Sequence, residues 1–241
     1  MITGIIVALP EELSSLTKKK ISLGECEFLT DDLIATHAGT GPENAKKAAQ
    51  KLIDKGCCKL ISWGCAAGLD NTLITGDLCL PKRLIAENQQ HYHVDAEWQQ
   101  QTASLLAELH PIHSSPLCES NTIVSSVQKK TALHKTTGAI ALDMESIAIA
   151  KIAEQKQIPY LVIRVIADSA KMHLPAAITK SMNEAGQINK KELALYIAAN
   201  PLQIFGLIKL GLHFQTAQKK LKSIAKKIKD ISNFSAATNT I

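Results

Sequence analysis

Carboxylates stand where apolar runs end in this chain. Asp143 and Glu145 fall between the aliphatic run 139–142 and a second aliphatic run of helical spacing, Asp168 closes the run 160–167, and Glu12 follows the run 5–9. Each has a purely structural reading: Asp143 as the N-cap of a helix, Glu145 as an acid complementing the helix dipole. Topology supplies a chemical one. If the two strands of the strand-helix-strand unit 139–168 are parallel, their carboxyl ends point the same way and Glu145 and Asp168 emerge on one edge of the sheet. Glu12 and the small-residue turn 64–68 (Gly64, Cys65, Ala66, Ala67, Gly68) follow strands of their own, and ligands in open α/β sheets bind outside strand carboxyl ends. Three acids and a glycine turn that lets a ligand approach backbone suit cleavage of an N-glycosidic bond. That reaction needs acceptors for sugar hydroxyls, a general acid for the leaving base and an activated nucleophile at the anomeric carbon. Phosphate-ester and amide chemistry remain open on these residues alone.

The elements that must position these acids follow from hydrophobic patterning. Strands are expected at 5–9, 34–37, 59–63, 78–80, 84–86, 121–127, 139–142 and 160–167, and helices at 43–55, 95–109 and 144–155. Pro42 opens the first helix and Gly56 stops it. Alternation of this kind predicts an α/β fold, a three-layer Rossmann-like sandwich with a mixed, largely parallel central sheet. With 241 residues, 46% hydrophobic but only 4% aromatic, the chain suits one large domain whose core is built from Ala, Ile and Leu. The domain is expected over 1–200, a basic helical extension over 201–232 and a disordered tail over 233–241. Six cysteines without CxxC spacing read as reduced thiols, and the start MITGIIVALPEEL reads as a first strand and not a signal peptide, so a cytoplasmic protein is expected.

The phrases "GIIVALPEE", "SWGCAAGLDNTLITGDLCLP", "ALDMESIAIA" and "VIRVIADSA" resemble the nucleoside phosphorylases and nucleosidases, a family that includes methylthioadenosine/S-adenosylhomocysteine nucleosidase. Within it, the "IADSA…LP" continuation and the C-terminal extension are most similar to the hopanoid-associated phosphorylases. The resemblance implies adenosylhopane as substrate, with adenine released and no cofactor other than inorganic phosphate as a co-substrate. A nucleosidase acting on methylthioadenosine or S-adenosylhomocysteine is the alternative enzyme, and a non-catalytic nucleotide sensor at a membrane surface the alternative outside enzymes. The resemblance further implies that Glu145 binds the ribose hydroxyls with Met144 packed on the sugar, and that Asp168 protonates purine N7. It implies Glu12 as the acid activating water and Arg164 as the arginine orienting the pocket, with Asp143, Gly64, Cys65 and Ile123 beside the substrate. This chain departs from phosphate-using relatives in lacking arginines in "ALPEEL" and "SWGCAAG", in carrying Cys65 for serine and Ile123 for an aromatic, all of which favours water as nucleophile. Phosphate could instead be held by Gly39, Thr40 and Gly41, an anion cradle or a plain tight turn at a helix start, or by Arg83.

Net charge is +5, yet seven lysines and one acid lie between Lys209 and Asp230, so that segment carries +6 and the rest −1. Phe214, Ala217, Leu221, Ile224, Ile228 and Ile231 recur at helical spacing among those lysines, forming a basic amphipathic helix that either docks on protein or contacts a membrane surface peripherally through 202–231. Without interleaved arginines or aromatics it does not read as a nucleic-acid surface. His91 and His93 have strand-ligand spacing but no third ligand, so no metal is expected. The partners expected are a small-molecule or lipid-linked adenosine substrate and further copies of the chain in a homo-oligomer.

Overall fold

A computed structural model describes residues 1–181 and 188–234. Among these lie eleven strands: β1 (Ile2–Val7), β2 (Cys26–Thr30), β3 (Leu33–His37), β4 (Cys57–Gly68), β5 (Leu78–Cys79), β6 (Arg83–Ile85), β7 (His91–His93), β8 (Ile112–His113), β9 (Leu117–Glu119), β10 (Ala141–Asp143) and β11 (Tyr160–Asp168). The helices are α1 (Pro10–Leu13), α2 (Pro42–Asp54), α3 (Ala96–Ala107), α4 (Val127–Thr137), α5 (Ser146–Gln155), α6 (Ala176–Lys180), α7 (Lys190–Ala199), α8 (Gln203–Ala225) and α9 (Ile228–Ser232). The strands form one mixed sheet in the order β2-β3-β1-β4-β10-β9-β6-β7, and β11 joins β4 along its other edge and leads through β5 to β8.

Period-two alternation sorts strand side chains onto two helical layers. Ile6 of β1 and Val162 and Ile166 of β11 pack with Ala45, Ala49 and Leu52 of α2 and Ile147 and Ile149 of α5. Their neighbours Ile5, Val7, Leu161, Ile163 and Val165 pack on the opposite face with Leu13 of α1, Trp98 and Leu106 of α3, and Ala217, Leu221 and Ile224 of α8. Ile228 and Ile231 of α9 complete that second layer. The apolar stripe of the basic C-terminal helix is therefore turned onto its own domain and unavailable to a bilayer. Its end is locked there: Trp98 Nε1 donates to the Ile231 carbonyl at 2.7 Å, Lys59 Nζ to that of Ser232 at 2.7 Å and to that of Phe234, and the Phe234 ring stacks on Trp98. Asn233 and Phe234 thus belong to the fold, while 235–241 lie outside the described residues.

Three sequence expectations are corrected. The run 64–68 is no turn but the second half of β4, paired with β11 as far as Ala67 and with β10 at Ala67 and Gly68. Residues 121–127 form no strand: β9 comes earlier, and Val127 starts α4, capped by Ser126 and stopped by Gly138 at φ 68°. Lastly, β10 and β11 are not parallel neighbours. Both pair with β4, β11 in parallel and β10 antiparallel, and Ala67 stands opposite both Leu142 and Asp168. The acids still meet, because both strands reach the far end of one long strand.

Candidate active site

β1 runs along β4 only as far as Val7 opposite Trp63, and β10 takes over opposite Ala67. Between these partners, residues 64–66 have no strand on that edge. Here a cavity of about 210 Å³ opens, lined by Glu12, Thr40, Cys65, Ile123, Met144, Glu145 and Asp168 together with Ala66, Ala67, Val124, Leu142 and Leu174. Its walls are mostly aliphatic, and its charged groups are carboxylates, with Thr40 and Thr122 as further polar lining. Among the described residues no lysine or arginine lines it.

Pro10 sets the start of α1, which turns Glu12 back over the end of β1. The two oxygens of Glu12 accept from backbone: Oε1 from Cys65 N at 2.7 Å, Oε2 from Leu9 N at 3.1 Å. Gly64 does not line the cavity, yet it makes this possible, since a Cβ there would lie 2.7 Å from Glu12 Oε1 and 2.8 Å from Arg164 Nη1. Burial raises the Glu12 carboxyl above its ordinary range, against the opposing pull of Arg164 and the two amides. Burial, and then the nearby Glu12 charge, likewise pushes the Cys65 thiol up, which makes it a filler and not a nucleophile.

Arg164 is buried behind the pocket in a network of fixed partners. Its Nε donates to Asp143 Oδ2 at 2.5 Å, and its Nη2 to Ser62 Oγ at 2.8 Å and Ser146 Oγ at 3.1 Å. Asp143 Oδ1 accepts from the amides of Glu145 and Ser146, and Oδ2 also accepts from the Ser146 hydroxyl. Asp143 borders the cavity, but its oxygens are committed to Arg164 and to the start of α5, the structural role open to it in sequence. Glu145 Oε2 lies 3.9 Å from Arg164 Nη2, and Oε1 accepts from Gly41 N at 2.9 Å. That bond engages one donor of the turn weighed as an anion cradle: the Gly41 amide serves a carboxylate of the protein, with Gly41 at φ 92° and Gly39 at φ 84° in the left-handed region open to glycine. Thr40 lines the cavity beside them. Burial, reinforced by Asp143, raises Glu145 to about 7.

Asp168 closes the other end. It is buried, and its Oδ2 accepts from Lys130 Nζ at 2.6 Å. Lys130 was missed in sequence, because one lysine of a Lys-Lys pair in a polar stretch reads as solvated. Arg83, on β6, does not line the cavity. His91 and His93 are exposed on β7, and among the described residues no group of three His, Cys, Asp or Glu side chains could hold a metal. All six cysteines are free. No described helix is long and apolar enough to cross a membrane.

Residues 3–199 match the family model of the phosphorylase superfamily. A 5′-methylthioadenosine/S-adenosylhomocysteine nucleosidase of Staphylococcus aureus is 26% identical over 223 residues, 76% of this chain and 95% of the relative. In fold the chain is similar to the Neisseria meningitidis nucleosidase of that name in complex with methylthio-immucillin-A, with a TM-score of 0.70 at 19% identity over 95% of this chain and 99% of that one. It is similar also to the futalosine hydrolase of Helicobacter pylori, with a TM-score of 0.67 at 18% identity over 93% and 97%. With 3–199 matched, and the acids the sequence singled out gathered around one cavity, the chain belongs to the phosphorylase superfamily.

Proposed function

We propose that this protein hydrolyses the N-glycosidic bond of an adenosine derivative and releases adenine. The observation carrying this is the cavity itself, with carboxylates at both ends of an aliphatic slot and, among the described residues, no cationic lining for phosphate. The nucleosidases among its relatives act on adenine nucleosides by name, in keeping with that chemistry. Glu145 accepts the ribose hydroxyls, with Met144 against the sugar. Asp168 gives its proton to N7, so that a neutral purine departs. Glu12, aimed by the Leu9 and Cys65 amides, takes a proton from the water that attacks C1′. Arg164 holds Asp143 and stands beside Glu145, and Ile123, Val124 and Leu174 wall the base. The test is incubation with methylthioadenosine, S-adenosylhomocysteine and adenosine, each with and without phosphate. Adenine release independent of phosphate is expected, and no adenine from any of them would contradict the reading.

A second reading gives the nucleoside a lipid 5′ substituent, as in adenosylhopane, and a particular face favours it. Leu195 on α7 and Leu202, Phe205, Ile208 and Leu212 at and within the start of α8 are exposed, Leu202 at 79% and Phe205 at 69%. α8 carries lysines and no acid, which complements an anionic bilayer. A Cβ on Gly206 would touch Pro175, whose neighbour Leu174 lines the cavity, so this face adjoins the pocket rim. The contact face is then not the stripe 214–231 but the turns before it. Binding to phosphatidylglycerol vesicles at low salt, lost in Leu202→Glu/Phe205→Glu while cleavage of soluble nucleosides persists, is expected. Equal vesicle binding by that variant would rule the face out.

A further inference from the structure

Lys130 has no part in the reading above, yet its ammonium is fully committed beside the pocket. It is fully buried on the inner side of α4. Its Nζ donates to Asp168 Oδ2 at 2.6 Å, to the Ser169 carbonyl at 2.9 Å and to the Met172 carbonyl at 3.0 Å, so each ammonium hydrogen has an acceptor. Lysine is almost never buried unless paired, and an apolar side chain of similar length would commonly pack such a helix at least as stably. Stability alone therefore does not account for a lysine here. The other oxygen of its partner, Asp168 Oδ1, is buried and has no hydrogen-bond partner among the described residues.

We propose that Lys130 is a positioning residue for the leaving-group acid, pinning Oδ2 of Asp168 and stabilising the carboxylate that forms when Asp168 gives its proton to the departing purine. This rests on the assignment of Asp168 as that acid. In the step, the C1′–N9 bond breaks and its electron pair stays with the base. N7 takes the carboxyl proton and neutral purine leaves. The attacking water bonds to C1′ and loses a proton to Glu12. The new negative charge on Asp168 appears beside an ammonium that keeps all its protons.

Burial raises the Asp168 carboxyl above its ordinary range, and Lys130 pulls it down by charge and by hydrogen bond. His213 of α8 acts in the same downward direction, Lys129 on α4 is exposed, and Glu12 and Glu145 border the same cavity. A carboxyl buried without a cation holds its proton too tightly to be a good acid, and Lys130 brings its strength back toward what protonation of a purine requires.

Replacing Lys130 leaves burial unopposed, so Asp168 keeps its proton to higher pH while becoming a weaker acid. In Lys130→Met and Lys130→Gln, the alkaline limb of kcat moves to higher pH by a unit or more, and the plateau falls by about 10- to 100-fold. The loss is smaller for the 2-fluoroadenine analogue of the best substrate, whose base leaves more easily. The Gln variant keeps a neutral donor, so it reports even if Met unfolds the domain, and Lys130→Arg retains the wild-type limb if it folds. A limb that stays put or moves to lower pH, or equal losses with both bases, overturns the proposal. Asp168→Asn separates the two claims: if it turns over normally, the acid assignment itself fails, whereas a crippled Asp168→Asn with normal Lys130 variants defeats only the role of Lys130.

Discussion

The two ends of the cavity are built on opposite charge ratios. At one end Glu12, Asp143 and Glu145 surround a single guanidinium, Arg164, and at the other Asp168 alone meets the ammonium of Lys130. Burial raises Glu12 and Glu145 against the pull of that single cation, and the Asp143 charge adds to the rise of Glu145, which reaches about 7. Such an end is rich in acceptors and receptive to protons, which suits hydroxyl groups and an attacking water. The one-to-one end keeps a carboxyl raised by burial, with a cation set against that rise, which suits donation. On the proposed reading, similar residues take different roles according to the charges set beside them.

The largest expected effect comes from breaking the one-to-one end at its acid. Asp168→Asn should lower kcat on adenosine substrates by about 10² to 10⁴ in the folded protein, with the urea midpoint also lowered because the buried Lys130 ammonium loses its counter-charge, and steady-state kinetics beside an unfolding curve checks this. Wild-type turnover would remove the contrast between the ends.

Breaking the three-to-one end at its cation should instead be a stability effect. Arg164→Met strands Asp143, whose Oδ2 accepts from Arg164 Nε at 2.5 Å, and urea unfolding should show a loss of about 3 to 5 kcal/mol. A loss below about 1 kcal/mol would mean that the serine and backbone donors suffice for Asp143.

The smallest effect sharpens the comparison through pH. Glu145 is raised from 4.5 unfolded to about 7 folded, so its protonated form stabilises the fold below pH 4.5, and this contribution is lost as pH rises to about 7. Glu145→Gln should flatten the fall in unfolding free energy between those limits by up to about 1.4 kcal/mol per pH unit. Identical pH dependence in the two proteins would place the raised carboxyl elsewhere.

Which of these features the sequence discloses depends on how each residue contributes. Alternating burial makes β1 and β11 readable, because one face packs on α2 and α5 and the other on α8. The acids at strand ends are readable for the same reason, as breaks in apolar runs. Gly64 to Gly68 looks like a turn because small residues are also what a strand needs where Glu12, Arg164 and two neighbouring strands crowd its backbone. α4 is hidden because its inward position is a lysine, so the helix has no apolar periodicity to announce it. Lys130 becomes visible only when its partner Asp168, thirty-eight residues away, is placed beside it. The direction of β10 is set by pairing with the far end of β4, which no local pattern records.

The central claim, that carboxylates at both ends of this cavity direct water onto C1′ while adenine leaves protonated, is tested most directly by the fate of oxygen. The protein is incubated with methylthioadenosine, S-adenosylhomocysteine or a longer-chain adenosine derivative in ¹⁸O-water containing phosphate, and the products are analysed by mass spectrometry. The account predicts adenine together with a free sugar carrying ¹⁸O at C1′, at a rate indifferent to phosphate and abolished in Glu12→Gln. A sugar 1-phosphate without ¹⁸O at C1′, or no adenine from any of these substrates, would contradict it.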